Sequence, residues 1–366
     1  MFKKIYKKIL VTFFNIFYKK PVVTTNKKHL YNVTKKNFKV NKIKYKIYLI
    51  KKGKVFTNSV DDAAYISNNY LLKGPSYQYR ASINKKINEN YVLKNGTPKL
   101  IKKFKGNILS IISGGASKHN YGHWIFDVLS RIFIFQQIYS LKKIDYFYVP
   151  NYKLNFQKET LGLLGIRKTR IIDSEKFKYI SADKIYAMEH PFSHKLIKIS
   201  PFIIKEIKKN LFCKININFN NKKNAYKKIY IERDYSRFNL KGDLSPYSNE
   251  RILINNDEVA NFLKKRGFKV IQLNNMSFAK QAKIFNEANI VISMSGAELS
   301  NIIFCKPKTK IIEIKNNLND HSDFMNLSKI CGLKHFQIKS KPIFHSNVPQ
   351  NGIIKCSLDK LKKTLY

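Results

Sequence analysis

Between Asn107 and Tyr139 the sequence changes its hydrophobic period, and that change limits what the rest of the chain can build. Ile108-Leu109-Ser110-Ile111-Ile112 is an apolar run of the length of a buried strand. Ser113-Gly114-Gly115 breaks it, and residues 116–120 make a small polar loop. From Tyr121 onward the apolar residues recur every three or four positions, at Trp124, Val128, Ile132 and Phe135, which predicts a helix. Strand, glycine turn and helix together place a site at the carboxyl edge of a sheet. His119, Asn120, Tyr121, Gly122 and His123 sit at that turn. His123, Asp127 and Arg131 then follow at four-residue steps, so an α-helix carries all three on one face. The surrounding positions are apolar. Two readings fit these ionisable groups: a reactive centre, or a helix-start histidine satisfied by local backbone beside an Asp127–Arg131 ion pair.

The remainder of the chain repeats the strand–helix alternation. Tyr45–Ile50 and Ala63–Ser67 read as strands before the central stretch. After it come a strand at Tyr146–Val149, a helix from Phe156 ending at Gly165, and strands at Ile171-Ile172 and Lys184–Ala187. A helix over Pro201–Leu211 closes this half. A second unit opens at Lys228–Ile231 and continues through a helix capped by Asn255 or Asn256 and a strand at Val270-Ile271. A helix capped by Ser277 leads to a strand at Asn289–Ser293. Ser295-Gly296-Ala297 then turns into a helix that Pro307 stops, and a strand follows at Lys310–Ile314. Ser357 caps a last helix. Such alternation defines an α/β fold. The organisation expected is a basic amphipathic segment at 1–20, an α/β domain at 21–212, a linker at 213–228, a second α/β domain at 229–345 and a tail with a helix at 346–366.

Charge is the unusual part of the composition. The formal net charge is +47, almost wholly from lysine, and the lysines are scattered over every segment rather than gathered with aromatic platforms. That pattern reads as a compositional background, although it draws phosphates and anionic lipid in either case. A lysine-rich, non-catalytic nucleic-acid-binding α/β protein is the alternative, and it requires a contiguous lysine face. Cys213, Cys305, Cys331 and Cys356 have no metal-type spacing, so they read as reduced thiols of a cytoplasmic protein. His119 and His123 have no glutamate between them and no third ligand, so no metal site is read there. Met1–Lys20 interleaves lysines with an apolar run about half the ~20 residues that a spanning helix needs. It fits a helix lying on an anionic membrane surface, and equally an ordinary first helix docked on the domain.

The second unit has its own signature. Ser295, Gly296 and Ala297 at a strand-to-helix turn let backbone N–H groups approach an anion. Arg233 and Arg237 follow the unit's first strand, and a guanidinium fork grips phosphate bidentately where lysine offers only a point charge. A diphosphate site is the reading they support.

Taken in order, these residues resemble glycosyltransferase family 61. The likeness rests on Gly114-Gly115, Asn120-Tyr121-Gly122-His123 with Asp127, and Tyr230-Ile231-x-Arg233. It continues through Gln281-x-x-x-Phe285-x-x-Ala288, Gly296-Ala297-x-Leu299-Ser300-Asn301-x-x-Phe304 and Glu313. The resemblance implies a GT-B architecture of two Rossmann-like domains facing across a cleft, the first on the acceptor side and the second binding a nucleotide-sugar. It also implies inverting transfer to a glycan or lipid-linked glycan acceptor, with no cofactor and no obligatory metal, in surface polysaccharide synthesis of the bacterial capsular type. The protein would then work in the cytoplasm, peripherally on the inner face of the cell membrane. Under it Asp127 is the general base and His123 its orienting partner or the alternative base. Arg233, Arg237, Gln281, Ser295, Gly296, Ala297, Ser300, Asn301 and Glu313 hold the donor. Gly114, Gly115, His119, Asn120, Tyr121 and Trp124 line the acceptor side. The chain departs from the family pattern at Ser295, where histidine is common, at Glu298, where glycine is usual, and at Asn255-Asn256, where Asn-Glu is usual. The loop between Arg233 and Arg251 is longer than typical. A transferase of another group, such as pyruvyl, onto polysaccharide is a further reading.

Overall fold

The structure, a computed structural model, describes residues 2–24, 26–40, 42–59, 62–78, 90–112, 118–189, 199–215, 226–236, 238–240, 243–344 and 346–366. The chain divides into two compact units, Met1–Ile207 and Lys208–Tyr366. Both are α/β, as the alternating pattern predicts.

In the first unit a mixed sheet of 11 strands carries a parallel portion in the order Tyr179–Met188, Lys102–Ser110, Tyr146–Val149, Ile171–Asp173. The first of these in sequence, Lys102–Ser110, lies inside the set. The chain steps from it to one side and finally returns as Tyr179–Met188 on the other. Its carboxyl end is therefore where the strand order reverses, the position at which open α/β sheets form their crevice. Antiparallel strands Ile43–Lys51 and Lys54–Ser59 extend the sheet beyond Tyr179–Met188. Ile50, Tyr65, Ile108, Tyr148 and Ile185 fill the core of this sheet.

In the second unit five strands run parallel in the order Lys269–Ile271, Lys228–Ile231, Ile290–Met294, Lys310–Asn316, Lys334–Ser340. The reversal of order here falls between Lys228–Ile231 and Ile290–Met294. Strands buried on both faces read as continuous β-branched runs, and Ile290–Met294 and Lys310–Asn316 are of that kind. Residues 346–366 are built into this unit. Gly352–Ile354 pairs in parallel with Arg251–Leu253, and Leu361 of the Leu358–Leu365 helix lies in the core. Ser277 and Ser357 cap their helices by accepting from Lys280 and Lys360 N–H. Asn255 stands at a cap position without capping, because its side chain is engaged with the Cys356 backbone instead.

Candidate functional site

The first unit's candidate site grows from the start of the helix over residues 121–136. Asn120, in extended conformation, accepts the His123 N–H at 3.1 Å and so caps it. The rod is not a uniform α-helix. Tyr121–His123 is α, Trp124–Val128 is a π segment closed by the Leu129 N–H to the Trp124 carbonyl, and Leu129–Gln136 is α again. Single π turns inside α-helices occur frequently at functional sites. This one contains Asp127.

His123 and Asp127 are each 8% exposed, and His123 Nδ1 lies 2.5 Å from Asp127 Oδ2. An ionised carboxylate can only accept, so the bond makes Nδ1 the protonated nitrogen, and a neutral imidazole then keeps its acceptor lone pair on Nε2. Arg131, 3% exposed, gives its Nη1 proton to the Met188 carbonyl at 2.9 Å, at the end of the strand that flanks the crevice. Among the described residues no ion pair joins it to Asp127, so the Asp127–Arg131 pair of the alternative reading gives way to a His123–Asp127 dyad. Arg131 also lies close enough to Tyr65 to oppose the effect of burial, which pushes that phenol up. Such groups are held in the interior by their neighbours. Trp124, Ile125, Val128, Leu129, Ile132, Phe133 and Phe135 are all fully buried, together roughly 10–20 kcal/mol of apolar burial.

Not every expected acceptor-side residue is accessible. Trp124 is fully buried and donates its indole N–H to Thr160 Oγ1 at 2.9 Å, so it fastens the helix to the Asn155–Leu163 helix behind the site. Tyr121 packs edge-on against Phe156, and burial, then Glu159, raises its phenol well above the usual range. His119 is exposed, its imidazole lowered by partial burial and then by Lys118 and Lys153. Gly114 and Gly115 lie outside the described residues, as does Arg237.

The second unit's candidate site sits at the reversal of its strand order. Arg233, just beyond Lys228–Ile231, donates from Nη2 to the Ser295 carbonyl at 2.9 Å, just beyond Ile290–Met294. Arg251 directs Nη1 to the same carbonyl at 3.4 Å. Its pKa falls to about 10, through burial first and the Arg233 charge second. Arg251 is the residue that sequence reading missed. It belongs to a strand of the unit's small separate sheet, and its scarcity value as an arginine in a lysine-rich chain was the available signal. Glu298, 3.6 Å from Arg233, answers both cations, and Glu250 adds its charge at Arg251. The buried Arg233 Nε has no hydrogen-bond partner among the described residues. Gly296 has extended backbone that any residue adopts, yet a Cβ there would collide with the Arg233 guanidinium. Glycine at this position leaves room for the Arg233 guanidinium where it lies.

Three residues expected to hold the donor are bonded to other residues of the unit. Glu313 is 1% exposed, and its carboxylate takes bonds from His335 Nε2 at 3.1 Å and Gln337 Nε2 at 2.9 Å. Burial pushes its pKa up, but the hydrogen bonds from His335 and Ser295 with the Lys315 charge outweigh it and hold Glu313 below the usual carboxylate value. Glu313 thus anchors Ser295 from beneath. Gln281 accepts from Asn301 Nδ2 at 3.0 Å and donates to the Leu273 and Met276 carbonyls, both at 3.1 Å. With Asn301 fully buried, this pair clasps the Phe278–Glu287 helix to the 3-10 helix Ala297–Phe304. Ser300 is 1% exposed and lies on the buried side of that 3-10 helix. Ala297 and Glu298 are partly exposed at its start. Among the described residues no group of three His, Cys, Asp or Glu side chains is arranged to hold a metal ion.

Two α/β units thus carry a buried His–Asp dyad in one and an arginine pair over a glycine turn in the other. The family model of Glycosyltransferase 61 matches residues 121–312, more than half of the chain. The chain belongs to glycosyltransferase family 61. The match begins at the helix that bears the dyad and ends within the strand leading to Glu313. No curated protein matches the chain. Membership makes it a glycosyltransferase acting from a sugar donor onto a glycan acceptor, and gives no support to the nucleic-acid-binding alternative.

Proposed function

We propose that the protein is an inverting glycosyltransferase that uses a nucleotide-sugar and needs no metal ion. In this reading it builds a bacterial surface polysaccharide, such as capsule, lipopolysaccharide or exopolysaccharide, from the cytoplasmic side. The two α/β units are taken as the halves of a GT-B enzyme, acceptor side first and donor side second. One observation carries the donor assignment: Arg233 and Arg251 converge on the Ser295 carbonyl where the second sheet reverses its strand order.

The chemistry follows from charge. A nucleoside diphosphate leaving group gains negative charge as the glycosidic bond breaks, and two guanidinium groups stabilise it where it forms. Glu298 shares their charge until the diphosphate displaces it. In the other unit the acceptor hydroxyl loses its proton as its oxygen attacks the anomeric carbon from the side opposite the leaving phosphate, which inverts the configuration. The His123–Asp127 contact supports a division of labour for that proton. His123 Nε2 takes it, and Asp127 holds the Nδ1 tautomer and stabilises the imidazolium. Asp127 acting directly is the simpler form of the same step.

The test is a panel of nucleotide-sugars screened for thermal stabilisation of the full chain, followed by transfer to glycan acceptors and determination of the product's anomeric configuration. The expected result is stabilisation by one donor class, unchanged by chelator, and an inverted product. A retained configuration or strict dependence on a divalent ion would refute the reading.

A further inference from the structure

The helix Phe2–Tyr18 is apolar on two faces, and only one of them is used by the domain. Its inner face is half-buried. Tyr18 packs edge-on against Tyr179 with ring centroids 5.5 Å apart, and Phe14 stacks on Tyr18 at 5.8 Å. The outer face carries Ile5, Tyr6, Ile9, Phe13, Ile16 and Phe17, exposed by 48%, 65%, 61%, 51%, 72% and 66%. At 3.6 residues per turn these six fall within an arc of about 120°. Leu100, near the helix end, is 78% exposed as well, and the N–H of neighbouring Ile101 donates to the Tyr18 hydroxyl at 3.5 Å. Contiguous apolar surface of this kind marks an interaction site.

Charge selects the occupant. The helix contains no acidic residue, the exposed Lys8, Lys19 and Lys20 accompany the stripe, and the first acidic residue of the whole chain is Asp61. A second copy would bring the same acid-free, lysine-flanked stripe against this one, and like charges would oppose the contact. An anionic lipid surface satisfies both features, taking the apolar side chains among its acyl chains and the lysines at its headgroups. Among the described residues no helix is long and apolar enough to cross a membrane. With its inner face fastened to the domain, this helix lies flat.

We propose that the outer face of Phe2–Tyr18 inserts into the surface of an anionic membrane and holds the first unit against it. This inference does not depend on the transferase reading. It is tested on the full chain with phosphatidylcholine vesicles, with and without phosphatidylglycerol, the bound fraction being read by flotation. Phe13→Trp supplies a fluorescent probe, since the chain's own Trp124 is fully buried. The expected result is preferential binding to the anionic vesicles, with a blue-shifted emission from the probe that brominated acyl chains quench. The triple variant Ile9→Gln, Phe13→Gln, Ile16→Gln should bind about 100-fold more weakly, each partly immersed side chain being worth up to about tenfold. These side chains are exposed, so the triple variant should keep the parent's circular dichroism and melting temperature. Equal binding by the triple variant with an unquenched probe would mean that scattered lysines act alone, and would overturn the proposal. A concentration-dependent blue shift without vesicles, accompanied by dimer in sedimentation, would give the face to a second copy and overturn it equally.

Discussion

Gly296→Ala is a small change with a specific expected consequence. Gly296 has φ 176° and ψ 177°, a conformation open to alanine, so the added methyl carries no backbone strain. What it meets is the Arg233 guanidinium, which must leave its place against the turn. That movement breaks the 2.9 Å bond from Nη2 to the Ser295 carbonyl and takes the fork away from any phosphate it serves. A hydrogen bond to a charged group contributes ~1.5–3 kcal/mol, so affinity for a nucleoside diphosphate should fall about 10- to 150-fold. Arg233→Lys keeps the charge but loses the planar fork, and should cost a similar amount. Since both substitutions remove one interaction, the double variant should be little weaker than either single one. Isothermal titration of the three variants with nucleoside diphosphates measures this directly. Wild-type affinity in Gly296→Ala, or losses that add in full in the double variant, would refute the reasoning.

Other outcomes follow from the same geometry. Glu298→Gln removes the carboxylate that shares the charge of Arg233, so diphosphate affinity should rise severalfold, as titration with the same ligands would show. Glu313 has a folded pKa held below its ordinary value of 4.5, so its contribution to stability is present above that value and is lost as pH falls through the folded pKa. Glu313→Gln should therefore flatten the acid limb of a plot of melting temperature against pH, and an unchanged limb would show that the carboxylate is not held as described. Cys305, Cys331 and Cys356 are buried, with burial raising each thiol and Cys356 reaching about 12, whereas Cys213 is exposed. A thiol reagent applied to the native protein at neutral pH should label Cys213 alone, and mass spectrometry of the labelled peptides would reveal any other reaction.

Much of the fold could be read from apolar runs and turn residues. Isoleucine-rich stretches such as Ile290–Met294 mark buried strands because nothing else accommodates continuous β-branched side chains so well. The strand Lys334–Ser340 escaped because it is an edge strand, with polar residues alternating along it. At the first site the spacing of His123 and Asp127 announced a shared face. The π turn between Trp124 and Val128 was not legible, since four-residue spacing serves an α and a π turn alike. The same spacing left an Asp127–Arg131 ion pair open as an alternative, while the partner of Arg131, the Met188 carbonyl, arrives from a strand 57 residues later. The family resemblance put Gln281, Asn301 and Glu313 at the donor. Sequence order does not show that Gln281 and Asn301 bind each other, or that Glu313 is enclosed by His335 and Gln337.

The dyad is the part of the molecule on which the assignment of an active site turns. With the donor and acceptor from the panel in hand, transfer should be measured for wild type, His123→Ala, Asp127→Asn and the double variant, alongside donor affinity for each. Loss of a general base lowers turnover by about 10²–10⁴-fold, and residues acting as one unit are not additive. The expected result is a loss of that size in each single variant, little further loss in the double, and donor affinity near wild type throughout. Full turnover in both His123→Ala and Asp127→Asn with an intact fold would contradict the central claim, because the 2.5 Å His123–Asp127 contact would then be structural and the base would lie elsewhere.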